Sequence, residues 1–146
     1  MGYQIYGYVQ IKKAEGWITA PIYYKSNYEG MEPVILWHGR EVGQYLWQKG
    51  TLVTEEEATN FMREMHYLEK DEEAYALESV KAISLAYMKY IALTFDPDHN
   101  DYDYSGDEDC IKPGLERIAN QVEAIVEFAN FYGNLDEVRF IFHESY

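Results

Sequence analysis

Asp101-Tyr102-Asp103-Tyr104-Ser105-Gly106 sets oxygen-bearing side chains at alternate positions and then a glycine, the spacing with which the first half of a calcium loop wraps its ion. Alternation turns successive oxygens toward one centre, and the glycine takes the sharp bend that a side chain would obstruct. Asp107 adds a further carboxylate, so Asp101, Asp103, Ser105 and Asp107 are the candidate ligands for calcium or magnesium. The second half departs from the pattern. Lys112 stands where a bidentate glutamate should close the shell, and Glu108 where an apolar residue is usual. A second frame from Asp96 supplies Asp98, Asn100 and a closing Asp107, but puts Asp101 in the glycine position. The spacing is compatible with a weak cation site, although short Asp-rich loops are more often simply solvated.

The same stretch is the densest run of one charge sign. Asp96, Asp98, Asp101, Asp103, Asp107, Glu108 and Asp109 fall within fourteen residues that hold no Lys or Arg. Such charges repel one another, so the segment stays solvated, holds a cation, or waits for a positively charged surface. Other reactive side chains form no comparable pattern. His66 and Glu69 share a predicted helix and offer two metal ligands, but the paired Glu-x-x-His sets of a di-iron bundle are absent. His38 precedes a turn glycine, His99 lies in the acidic run, and His143 ends an apolar strand. Cys110 follows three carboxylates, which disfavour its thiolate and make it a poor nucleophile. There is no Gly-x-Ser-x-Gly elbow, phosphate-binding glycine loop or dinucleotide fingerprint. An enzyme working through scattered carboxylates remains an alternative without a defined site.

Stepping outward, 146 residues suffice for one hydrophobic core, and residues 1–146 read as a single domain. Apolar residues make up 47% of the chain and aromatics 16%, which separates it from disordered acidic tails. The net charge of -14 is unevenly placed. Residues 1–53 hold five basic groups (Lys12, Lys13, Lys25, Arg40, Lys49) and four acidic ones (Glu15, Glu29, Glu32, Glu41), so the net acidity belongs to the remainder. An acidic surface disfavours direct contact with nucleic acid or an anionic membrane and favours basic proteins or cations. One cysteine excludes an intramolecular disulfide and suits a reducing cytoplasm. The first residues match neither a signal peptide nor an acylation motif, and no run of about 18 uncharged apolar residues occurs.

The elements that would position these groups are legible from periodicity. Tyr3, Ile5, Gly7, Val9 and Ile11 alternate with polar and tyrosine positions, as in a strand with one buried face. Ala14-Glu15-Gly16 turns the chain, and Trp17 to Tyr24 returns as a second strand, with Pro21 favouring an edge. Pro33 to Trp37 reads as a third strand, and Glu41 to Gln48 as a short helix ending before Gly50. Thr54 and Glu57 form a capping box that opens a helix whose apolar face holds Ala58, Phe61, Met62, Met65 and Leu68. Leu77, Val80, Ser84, Tyr87, Met88, Ile91 and Phe95 continue helical spacing, and 82–93, apolar nearly all round, reads as the central buried helix ended by Pro97. Leu115, Ile118, Val122, Ile125, Ala129 and Tyr132 predict a further helix, with Pro113 in its first turn and Gly133 as its stop. Val138 to His143 is the closing strand, paired with the N-terminal sheet. The expected fold is α+β: an antiparallel sheet of three N-terminal strands plus a C-terminal strand, packed against three or four helices.

The opening Gly2-Tyr3-Gln4-Ile5-Tyr6-Gly7-Tyr8-Val9-Gln10-Ile11 with Trp17, the His38-Gly39-Arg40-Glu41 stretch and the closing Val138-Arg139-Phe140-Ile141-Phe142 together resemble small phage- or prophage-encoded acidic α+β proteins of uncharacterised function. The likeness covers mainly the chain ends. It implies a host-cell cytoplasmic setting and a kinship in kind with inhibitors of host defence, some of which imitate the phosphate array of nucleic acid. Carboxylates spaced along helices are the independent physical warrant. The expected function is therefore a non-enzymatic binding protein. Its contact residues would be Glu69, Glu72, Glu73, Asp98, Asp101, Asp103, Asp107, Glu108 and Asp109, and its partner a basic protein surface. A calcium- or magnesium-dependent module built on the Asp-rich loop is the alternative. Solubility alone also accounts for an acidic composition.

Overall fold

Alternation in the first ten-residue strand divides the protein into two unequal layers around one sheet. The structure is a computed structural model that describes residues 4–20, 34–36, 40–64, 80–96 and 110–145. Strand β1 (Gln4–Lys13) buries Ile5, Val9 and Ile11 on one face and Tyr8 on the other. A turn at Ala14 and Glu15 leads into β2 (Gly16–Thr19), paired antiparallel to β1 with Lys13 opposite Gly16. Gly16 has φ 119, a left-handed conformation that strains any residue bearing a Cβ. β3 (Val34–Leu36) pairs with β1 through Ile5 and Leu36. Helix α1 (Arg40–Lys49) follows, then a two-residue strand β4 (Thr51–Leu52) and helix α2 (Glu55–Glu64). β5 (Lys81–Ser84), α3 (Leu85–Thr94), α4 (Ile111–Phe128), a 3-10 turn (Leu135–Glu137) and β6 (Val138–Ser145) complete the order.

The sheet is antiparallel in the order β2-β1-β6-β5-β4, and β3 also pairs with β1. Chain ends meet at its centre, where Gln4 lies opposite Ser145 and Ile11 opposite Val138. Gly7 makes this approach possible, because a Cβ there would stand 1.8 Å from the Ile141 carbonyl oxygen. One face of the sheet, carrying Ile5, Val9, Ile83, Val138, Phe140 and Phe142, meets α1, α3 and α4 in the main core. The opposite face presents Tyr8, Ala82 and Ile141 to Ala58, Phe61 and Met62 of α2. Phe140 and Phe142 are fully buried and stacked, and burial of a large apolar side chain contributes about 1.5–3 kcal/mol. The α+β class, the three N-terminal strands and the C-terminal closure all match the sequence reading.

Three boundaries differ from it. Residues 81–84 form a strand where the spacing predicts helix. β5 is sandwiched between Ile83 in the main core and Ala82 in the α2 core, so its sequence lacks the polar alternation that betrays a half-exposed strand. Ser84 then resets the chain: its extended backbone and its hydroxyl, accepting from the Tyr87 N–H at 3.0 Å, cap α3. β4 is likewise an addition, too short to carry a period. Finally, α4 stops before Gly133. Asn130, at φ 55, takes the left-handed position, while its own N–H donates to the Glu127 carbonyl and the Phe131 N–H to the Val126 carbonyl. This is the two-bond helix terminus usually built on glycine. The expected third-strand ends, the helix beyond Glu64 and Pro97 lie outside the described residues.

Candidate functional site

The two ends of the Asp-rich segment are held by one short helix. α3 delivers the chain to Phe95, whose ring meets Tyr45 of α1 edge to face at 5.2 Å. After the acidic run, Cys110 packs against the main core, and Ile111, the first residue of α4, is fully buried. Gly114 then lets α4 touch α1, because a Cβ there would lie 2.6 Å from a Val42 methyl. Tyr45 and Val42 thus fix departure and return. Burial raises the pKa of the Tyr45 hydroxyl, and the nearby Tyr87 adds to the shift. The residues between, including Asp98, Asp101, Asp103, Ser105, Asp107, Glu108 and Asp109, lie outside the described residues, as do Glu69, Glu72 and Glu73 of the second acidic stretch. Asp96, exposed, is the one member of the acidic run that is described.

Within the frame, Glu55 and Glu56 in the first turn of α2 and Glu116 and Glu127 on α4 are exposed. Glu123 is paired with Lys89 of α3 at 2.7 Å.

A second polar cluster, which sequence reasoning missed, lies on the α2 side of the sheet. The Arg139 guanidinium donates to Glu57 of α2 and, at 2.8 Å, to Gln10 Oε1 of β1, and it lies 4.4 Å over the Trp17 ring. Glu57 also accepts from the Thr54 hydroxyl at 2.9 Å, while its own N–H donates to Thr54 Oγ1 at 3.2 Å. The capping box read from sequence is therefore present and serves twice, closing α2 and holding that helix to β6. Burial pushes the Glu57 carboxyl up, but bonds from Arg139 and Thr54 and the Arg139 charge outweigh it, so its pKa is lowered. On the other face, Lys81 donates to the Trp47 carbonyl at 3.0 Å and sits over that ring. Burial lowers the Lys81 pKa, and Glu144 opposes the shift. Both clusters tie a helix to the sheet.

His38, His66 and His99 lie outside the described residues, and His143 is half-buried in β6. Among the described residues no three His, Cys, Asp or Glu side chains converge as a metal set, and no helix is long and apolar enough to cross a membrane. A shallow open depression runs along the outer side of α4, lined by Pro113, Glu116, Arg117, Asn120, Gln121 and Ala124. Comparison with protein-family models, with curated proteins and with solved structures finds no match to the chain.

Proposed function

We propose that the protein is a non-enzymatic binding protein whose acidic segments engage a basic protein surface of a kind that otherwise holds nucleic acid. The observation that carries this reading is the run itself: residues 96–109 hold seven carboxylates and no base, and Phe95 before it and Ile111 after it are packed into the framework. Carboxylates presented from a fixed frame release the counterions of a basic groove much as phosphates do. In this reading the protein is a phage-encoded inhibitor acting in the host cytoplasm on a defence or nucleic-acid-processing protein. Tagged protein exposed to nuclease-treated bacterial lysate is expected to retain one DNA- or RNA-binding protein, released by raised salt and by added duplex. Retention indifferent to both would count against the proposal.

A cation-dependent module is the second reading, favoured by the spacing of Asp101, Asp103, Ser105 and Asp107. Calcium would then raise the melting temperature of the parent but not of Asp101→Ala with Asp103→Ala. No rise in the parent would remove this reading.

A further inference from the structure

We infer that α2 is a flap on the sheet, one that opens as a unit while the main core stays folded, with the pairing of Glu57 and Arg139 as its latch. This motion is independent of the binding reading above. Among the described residues, α1, α3 and α4 share one core on one face of the sheet, so each supports the others. α2 takes the other face, where Ala58, Phe61 and Met62 form a separate cluster with Tyr8, Ala82 and Ile141. The sheet stands between the two clusters, and units packed apart in this way open with separate free energies.

The contact beneath α2 includes two rungs of the central strand pair. Tyr8 lies opposite Ile141 and Gln10 opposite Arg139, and alternation turns both rungs to the same face. Glu57 and Phe61, one helical turn apart, reach them in register. The Phe61 ring meets Tyr8 edge to face at 5.8 Å, and Glu57 accepts from Arg139. The rest of the cap is internal to the helix. Thr54 Oγ1 accepts the Glu57 N–H at 3.2 Å and donates to the Glu57 carboxylate at 2.9 Å, and the Ala58 N–H donates to the Thr54 carbonyl at 2.9 Å. These bonds travel with α2, so on this side the bend falls at Val53, between β4 and Thr54. Opening does not strand the guanidinium. When Glu57 leaves, Arg139 keeps Gln10 and the Trp17 ring, which lowers the cost of parting an enclosed ion pair. Tyr8 and Ile141 are bared, while the packing of α1, α3 and α4 against their own face is untouched.

The test is native-state hydrogen exchange, read by NMR on the whole chain, for the parent, Ile118→Val, Val122→Ala and Glu57→Gln. In the parent, the Phe61 and Met62 amides should exchange faster than those of Ile118 and Val122. The last two side chains are fully buried in the main core and stay packed when only α2 opens. Ile118→Val is therefore expected to speed exchange across α4 and β1 about threefold to tenfold and to leave Phe61 and Met62 unchanged. Val122→Ala should do the same with a larger factor. Glu57→Gln should speed Phe61 and Met62 by one common factor, because the bond it weakens is broken in that opening. α2 amides that follow the α4 variants by the same factor would show that α2 opens only with the whole molecule. Unequal or absent effects of Glu57→Gln would show that no latched unit exists. Either result overturns the inference.

Discussion

At the level of single residues, Arg139 is the side chain on which the most depends. Its side chain is 12% exposed, and it joins β6 to β1 through Gln10 and to α2 through Glu57. A guanidinium so enclosed is costly to leave unpaired. Glu57→Gln is therefore expected to destabilise the protein at neutral pH by about 1–3 kcal/mol, measured by denaturant unfolding. The pH dependence follows from the lowered pKa of Glu57. Its stabilisation is complete above the ordinary carboxylate pKa and fades as pH falls through the lowered folded value, so parent and variant should converge in acid. A gap that widened in acid would contradict the assignment. The Thr54 and Glu57 capping box was legible because its members are three residues apart. The pairing of Glu57 with Arg139 was not, since they are 82 residues apart and no local period links them.

Among elements, α1 governs the geometry of the candidate site although it carries none of the candidate residues. It packs against α4 where Gly114 meets Val42, and against the end of α3 where Tyr45 meets Phe95. Gly114→Ala would force a methyl against the Val42 side chain and is expected to cost about 1–3 kcal/mol. The cost should be partly recovered by Val42→Ala in the same chain, and a thermal-melt cycle of the four proteins measures that coupling. Additive effects would show that the helices do not touch there. At this scale the sequence was informative wherever one face of an element is exposed. α2 and α4 were readable from their amphipathic stripes, and α1 from Gly50 at its end. β5 was not, because it is covered on both sides and its four residues abut a helix that is also largely apolar.

For the whole molecule, one long-range strand pairing and one run of carboxylates matter most. β1 and β6 run side by side from Gln4 opposite Ser145 to Ile11 opposite Val138, joining the two ends of the chain. Gly7→Ala would drive a methyl into the Ile141 backbone, which cannot swing aside as a side chain can. We expect a loss of about 3 kcal/mol or more, or no folded protein, by circular dichroism. The apolar closing strand and the alternation of β1 made this closure legible in the sequence. The same sequence marked the acidic run as the place to look, but the frame that holds its ends depends on contacts of α1 with α3 and α4 that no periodicity encodes. In the proposed function the acidic run, with its ends held by that frame, is what binds. It is tested most directly by measuring affinity for the captured basic partner against salt concentration, for the parent and for a variant with Asp98, Asp101, Asp103, Asp107 and Asp109 changed to Asn and Glu108 to Gln. The variant is expected to keep its melting temperature, bind much more weakly and show a flatter salt dependence; equal affinity and an equal salt slope in the two proteins would rule out binding through the acidic run.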